Sequence, residues 1–364
     1  MDKSVIMSLS SPLMIIIVVN IIIIIVVVDC NENIVTTFID DHIYWSSRID
    51  HRDDQENINN DIDHWIQRIS DSKFIHIDNG CGRMQNRMLI TDRGDKVCAR
   101  YRRNNEQIFG EYYSFLLARI LQISNVIPST LITFIDNNER WKSVANILRD
   151  QAKWQTNKTI VLSKYLDGLQ PTLIPRQFRS KTKRLYPIYD DLNVTDVDDD
   201  DQQQKIYELV QWSDLIILDY LIGNTDRMIN NMINENWNPQ MMENPVHNLL
   251  QRDTDNHHNQ LVFIDNESGL FHGYRLLKRY EHLHRSLLDG LCVFRRTTIM
   301  NLEKISTLKP KQFAKLLQNY FHRFAIEWSG ISKNWMPIKN FHILRQRIRQ
   351  VLKQVDICRR KNFS

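Results

Sequence analysis

The segment Trp212 to Met232, WSDLIILDYLIGNTDRMINNM, constrains this chain more than any other. An apolar run leads into a polar loop that sets Asp226 and Asn231 five positions apart. In that arrangement a carboxylate can take the proton of an attacking hydroxyl, and a carboxamide can hold a divalent cation on phosphate oxygens. A second acidic element follows in LVFIDNESGLFHGYR, Leu261 to Arg275, where Asp265 ends the short apolar run Leu261–Ile264, which predicts a strand. A carboxylate at the end of a buried strand suits a metal ligand. Arg227, beside Asp226, reads foremost as a structural ion pair.

The remaining parts of a phosphoryl-transfer site are sought upstream. Met88–Thr91 and Lys96–Tyr101, joined by Asp92-Arg-Gly-Asp95, predict a hairpin. Gly80 and Gly82 lie just ahead of it, and glycines let backbone approach a phosphate closely, although no full G-x-G-x-x-G is present. Glu111–Leu121 predicts a helix with Glu111 in its first turn. That carboxylate either complements the helix N-terminus or pairs with a phosphate-binding cation on the preceding strand. Arg100 is the candidate cation and Arg102 its rival, since both share a strand face. Arginine in place of lysine keeps the charge and adds a forked donor set.

The N-terminus carries the one compositional anomaly. Val5–Val28 has no charged residue, and Ile15–Val28 is all Ile and Val except Asn20. As a helix this run is long enough to cross a hydrocarbon core of about 30 Å. No small-residue cleavage site follows it, so an uncleaved signal anchor is expected, with the bulk of the chain luminal. The divisions expected are a short tail over 1–12, a transmembrane anchor over 13–28, a luminal stem over 29–73 and a catalytic unit over 74–364. From Ile206 onward the chain reads as mainly helical apart from the strand before Asp265, closing with a helix over Phe341–Val355 that has a basic face of Arg345, Arg349 and Lys353. The run DVDDDD, Asp196–Asp201, and the pair His257 and His258 read as solvated loops.

A formal net charge of +4 gives no electrostatic case for a nucleic-acid partner. Five cysteines, Cys30, Cys81, Cys98, Cys292 and Cys358, show no zinc spacing, and an oxidising lumen accommodates two bridges. Cys30 is either free or joins two chains. Sequons at Asn157 and Asn193 sit in polar surroundings and are candidate glycosylation sites, whereas Asn266-Glu-Ser abuts Asp265 and is expected to stay unmodified.

DYLIGNTDR together with FIDNESGLFHGYR resembles the Four-jointed family of secretory-pathway kinases, related to the Golgi casein kinases. NGCGRMQNR, KVCARYR, GEYYSFLLARIL and CVFRRTT extend the likeness, in the family's order, from about Phe74 to the C-terminus. The resemblance implies an α+β, bilobal, atypical protein-kinase-like fold, with a small β-rich N-terminal lobe and a larger, mainly helical C-terminal lobe behind one transmembrane helix. It implies Asp226 as catalytic residue, Asp265 and Asn231 on the metal, and Arg100, Glu111, Gly80 and Gly82 on the nucleotide, with ATP and Mn or Mg as cofactors. It further implies Cys81–Cys98 and Cys292–Cys358 bridges. The function implied is Ser/Thr phosphorylation of extracellular cadherin repeats of the Fat and Dachsous type by a type II Golgi membrane protein, also secreted after cleavage, acting in planar polarity and growth signalling. Two other functions fit the same residues: a luminal glycan kinase, and an inactive pseudokinase acting as a secreted ligand or allosteric partner.

Overall fold

The structure, a computed structural model, describes residues 38–39, 43–44, 55–179, 181, 183–186, 200–253, 259–328 and 336–360. The expected anchor over 13–28, Cys30, Asn193, Asp196–Asp199, His257 and His258 lie outside them. No helix among the described residues is long and apolar enough to cross a membrane.

A two-residue antiparallel pair, β1 (Phe38–Ile39) and β2 (Ile43–Tyr44), precedes α1 (Gln55–Ser70). In α1, Ile62, Trp65, Ile66 and Ile69 recur on one helical face and are buried. Arg68 pairs with Asp95 at 2.8 Å, and Arg140 donates to the Ser70 carbonyl. Helix α1 is therefore part of the folded unit, and the expected stem over 29–73 is corrected at its C-terminal end. The apolar recurrence over Ile62–Ile69 reads as a short helix in sequence, but the contacts that dock it on the lobe are not readable there.

The smaller lobe is a five-stranded antiparallel sheet of β3 (Phe74–Asp78), β4 (Arg87–Thr91), β5 (Lys96–Arg100), β6 (Ser129–Phe134) and β7 (Lys158–Lys164), ordered β3-β4-β5-β7-β6. The hairpin forms as expected, with Met88 opposite Cys98 and Gly94 at φ 81° in the turn. On one face Leu89, Val97, Ala99 and Leu162 are fully buried. A disulfide joins Cys81 to Cys98, fixing the loop after β3 to the middle of β5.

Between β5 and β6 runs α2 (Asn105–Leu121), whose first turn is capped by the Asn104 side chain accepting from the Glu106 N–H at 3.0 Å. The helix thus begins six residues before the expected start at Glu111, and Glu111 is not in its first turn. Residues Ile108 to Leu121 are all buried, so the helix has no polar face for periodicity to read. Helix α3 (Ala145–Asp150) and the Trp141 and Trp154 rings fill the space against Phe134.

The larger lobe begins with β8 (Gln170–Leu173) and α4 (Arg176–Arg179), then α5 (Asp200–Ile222) and α6 (Met228–Asn234). Strands β9 (Pro245–Asp253) and β10 (Asn259–Phe263) pair antiparallel, with β8 on the far side of β9. Strand β9 departs from the mainly helical expectation: its sequence PVHNLLQRD has no clean two-residue alternation, and pairing from both sides forms it. Helices α7 (Phe271–Asp289), α8 (Arg296–Thr307), α9 (Pro310–Phe324) and α10 (Ile338–Arg360) complete the lobe. The Cys292–Cys358 disulfide ties the segment before α8 to the end of α10.

Candidate active site

Helix α5 delivers the first part of the site. It ends at Gly223, whose φ of 68° favours glycine and where a Cβ would meet the Tyr274 ring at 3.2 Å. The chain turns into Asn224, whose side-chain oxygen accepts from the Asp226 N–H at 3.0 Å and so presents the Asp226 carboxylate, which is only partly buried. Ser268 donates its hydroxyl hydrogen to that carboxylate. Arg227, fully buried, grips both oxygens of Asp219 and donates to the Ile264 carbonyl at 3.0 Å and to the Asn266 side-chain oxygen at 2.9 Å. It is the structural ion pair expected, with Asp219 as partner, and it fastens the Asp226 loop to the Asp265 loop.

The second part comes from β10. Asp265 follows the strand with φ 56°, a left-handed conformation that Asp tolerates better than most residues. Helix α2 lies directly on the next residues: a Cβ on Gly110 would sit 2.5 Å from the Glu267 carbonyl oxygen, so only glycine permits this approach. Neighbouring Glu111 is thereby brought to the Asp265 loop, where it accepts a backbone hydrogen bond from Asn266.

Arg100, at the end of β5, reaches Asp265 with Nη1 2.8 Å from Oδ1. The contact is an ion pair off the alignment of a hydrogen bond. Arg100 Nε and Nη1, Asp265 Oδ1 and Glu111 Oε2 are all buried without a hydrogen-bond partner. Burial pushes the Glu111 carboxyl pKa up, and the Arg100 charge offsets only part of this. Burial lowers the Arg100 pKa, but the carboxylates of Glu111, Asp265 and Glu267 outweigh it and leave the guanidinium above its ordinary value. Arg102 is separated from this group: its Nε donates to Glu267 Oε2 at 2.5 Å. The competition between the two arginines is thus divided, Arg100 facing Asp265 and Glu111, and Arg102 facing Glu267.

Asn231, in the first turn of α6, is buried. Its Nδ2 donates to the Met241 carbonyl at 2.9 Å, and its Oδ1 has no partner. Asp265 Oδ1, ion-paired with Arg100, and Asn231 Oδ1, without a hydrogen-bond partner, are the kind of oxygen donor a Mg- or Mn-like cation takes from protein when phosphates supply the rest. Among the described residues no three His, Cys, Asp or Glu side chains form a metal cluster. Gly80 and Gly82 have φ 153° and 91° on either side of Cys81. Their loop is linked to the Asp265 loop through Arg83, whose Nη1 lies 3.1 Å from Glu267 Oε1.

Sequence reasoning missed Glu267, Ser268 and Asp219. The only signals available were the acidic and hydroxyl residues of D-N-E-S and an R-x-R that matches D-x-E in step. Asn157 is exposed at φ 58°, as a modifiable turn requires, while Asn266 is fully buried with its amide engaged at both ends.

A small antiparallel lobe above a helical lobe, with the acidic loops between them, defines a kinase-like fold. The Golgi casein kinase with Mn/ADP bound superposes with a TM-score of 0.52 at 14% identity, over 82% of this chain and 76% of that one. Hydra Fam20 with sugar gives a TM-score of 0.51 at 17% identity, over 80% of this chain and 87% of that one. A family model of the Four-jointed box protein middle domain matches residues 60–361, and the chain belongs to the Four-jointed box family. It is 34% identical over 364 residues to the extracellular serine/threonine protein kinase four-jointed of Drosophila melanogaster, covering 88% of this chain. It is 30% identical over 300 residues to Four-jointed box protein 1 of Mus musculus, covering 82% of this chain. The chain spans 61% of the Drosophila protein and 64% of the mouse protein.

Proposed function

We propose that this chain is a luminal serine/threonine protein kinase that transfers the γ-phosphate of ATP to hydroxyls of extracellular cadherin-type repeats, with Fat/Dachsous-type proteins as partners in planar polarity and growth signalling. The observation that carries the reading is the Arg100–Asp265 ion pair beside the buried Glu111, whose Oε2 has no hydrogen-bond partner, with Ser268 tying Asp226 to the same acidic loop. Folding leaves such an atom unpaired at a cost, which a bound metal–nucleotide would relieve. Arg100 and Glu111 orient the phosphates. Asp265 and Asn231 would hold the cation, which when bound would supply charge that offsets that of the phosphates. Asp226 accepts the acceptor hydroxyl's proton, and the remainder of catalysis is positioning. The name of the Drosophila relative supports the Ser/Thr class and that of the Golgi casein kinase a Golgi compartment, while the type II anchor rests on the apolar run over 13–28 alone.

The test uses the full chain from a secretory expression host, ATP with Mn or Mg, and a folded cadherin repeat, beside Asp226→Ala. Phosphate on Ser or Thr from the parent, falling at least about 10³-fold in the variant while nucleotide binding persists, is expected. Transfer to a proteoglycan linker sugar but not to protein would replace the reading with a glycan kinase. Absence of both transfer and nucleotide binding would make the chain a pseudokinase.

A further inference from the structure

Arg100 and Arg102 meet the acidic loop in matching steps, Arg100 on Asp265 and Arg102 on Glu267. The two pairs are built differently. In the first, the side chains are 11% and 21% exposed and the facing atoms are not aligned as a hydrogen bond. In the second they are 6% and 3% exposed, and the hydrogen bond is formed. Around Glu267 gather two further donors, Arg83 Nη1 at 3.1 Å and Gln107 Nε2 at 3.4 Å.

Beyond Glu267 the network runs into the glycine loop. Arg102 Nη1 donates to Asn86 Oδ1 at 2.7 Å, and Asn86 Nδ2 donates to the Cys81 carbonyl at 2.7 Å, between Gly80 and Gly82. Arg83 belongs to the same loop, and its side chain is 62% exposed. The loop is thus joined to the acidic loop twice, by a buried route through Arg102 and Asn86 and by an outer route through Arg83. A buried carboxylate is a poor way to add stability, because desolvation consumes most of what pairing returns. What it supplies is register between two loops on opposite sides of the cleft.

We propose that Glu267 is a positioning residue that latches the 79–87 loop against the acidic loop before nucleotide arrives. The inner pair with Arg102 sets the spacing across the cleft. The outer pair with Arg83, solvated and weak, is the arm that yields when ligand enters. The latch itself follows from the contacts; its effect on turnover rests on the kinase reading above.

The test compares the full chain with Glu267→Gln and Arg83→Ala by amide hydrogen exchange over residues 79–87 without nucleotide, and by KM for ATP against kcat. Glu267→Gln should speed exchange in that loop about tenfold and raise KM about tenfold, with kcat changed by less than about threefold. Arg83→Ala, which removes an exposed side chain, should move the same readouts about threefold. Unchanged loop exchange in both variants overturns the latch. So does an increase spread over the whole small lobe, which would make the network merely structural, or a fall in kcat at constant KM. Should Glu267→Gln fail to fold, the local exchange of Arg83→Ala decides. A parent that transfers no phosphate would sink the kinase reading, while the exchange comparison would still settle the latch.

Discussion

Arg227 and Arg100 are both buried arginines that reach the Asp265 segment, one from below the cleft and one from above. Arg227 has its donors placed: both Asp219 oxygens, the Ile264 carbonyl and the Asn266 side chain receive them. Arg100 has Nε without a partner, and its Nη1 meets Asp265 Oδ1 at 2.8 Å in an ion pair that is not aligned as a hydrogen bond. The first set is completed by folding alone. The second leaves donors that, on the proposed function, a bound nucleotide would take up. This contrast separates a structural ion pair from a binding site more cleanly than burial does, since both arginines are at most 9% exposed.

The largest effect should come from breaking the finished set. Arg227→Ala leaves the buried Asp219 carboxyl with only the Asn224 amide as side-chain partner, which costs about 3–5 kcal/mol. Denaturant unfolding should report that loss as a lower midpoint with an unchanged slope. A cost under about 1 kcal/mol would mean that Arg227 is not the keystone joining the Asp226 and Asp265 loops, and the contrast would fail.

His284 sharpens the comparison because it is an unpartnered buried group away from the cleft. Its Nε2 has no hydrogen-bond partner, and burial, with the Arg347 charge added, pushes its pKa from 6.5 down to about 3. The folded state refuses the proton that the unfolded chain accepts. Its contribution is therefore full above about 6.5 and is lost as pH falls toward about 3, by up to about 1.4 kcal/mol per unit. Glu111 has the opposite sign: burial raises its carboxyl, so its contribution is full below its ordinary 4.5 and is lost as pH rises from there through the raised folded value. Between pH 4 and pH 7, the unfolding midpoint of the parent should fall relative to that of His284→Phe toward the acid end. Parallel curves would show that His284 takes up its proton in the folded state.

Much of this architecture was legible in the sequence where chemistry and spacing coincide. Asp226, Asp265, Arg100 and Glu111 were named from motif context, and the Cys81–Cys98 and Cys292–Cys358 bridges from family likeness; the bridges form, and Arg100 meets Asp265. What escaped was set by partners distant in the chain. Glu267 looked like one more loop acid, because its meaning comes from Arg102, 165 residues earlier. The start of α2 was lost since a helix buried all round carries no amphipathic period. Helix α1 was assigned to a stem, because only its tertiary contacts distinguish its stripe of four apolar residues from a solvated linker.

The smallest effect on stability should come from the unfinished set, and that is the sharpest form of the comparison. Asp265→Asn removes a carboxylate that sits near Glu111 and Glu267, and the Arg100 charge it leaves still faces those two acids. The loss of one imperfect ion pair is thus offset by relief of like-charge repulsion, and unfolding free energy should change by less than about 1 kcal/mol. Function should respond in the opposite proportion. Asp265→Asn leaves a divalent cation two neutral carboxamide oxygens and no charged ligand among the proposed protein ligands, so metal-dependent ATP binding should weaken at least about tenfold in a calorimetric titration with Mn. A destabilisation as large as that of Arg227→Ala would mean that Asp265 is there to hold the fold. Retained metal-dependent binding would move the cation elsewhere, and with it the reason for the orphaned atoms of the cleft.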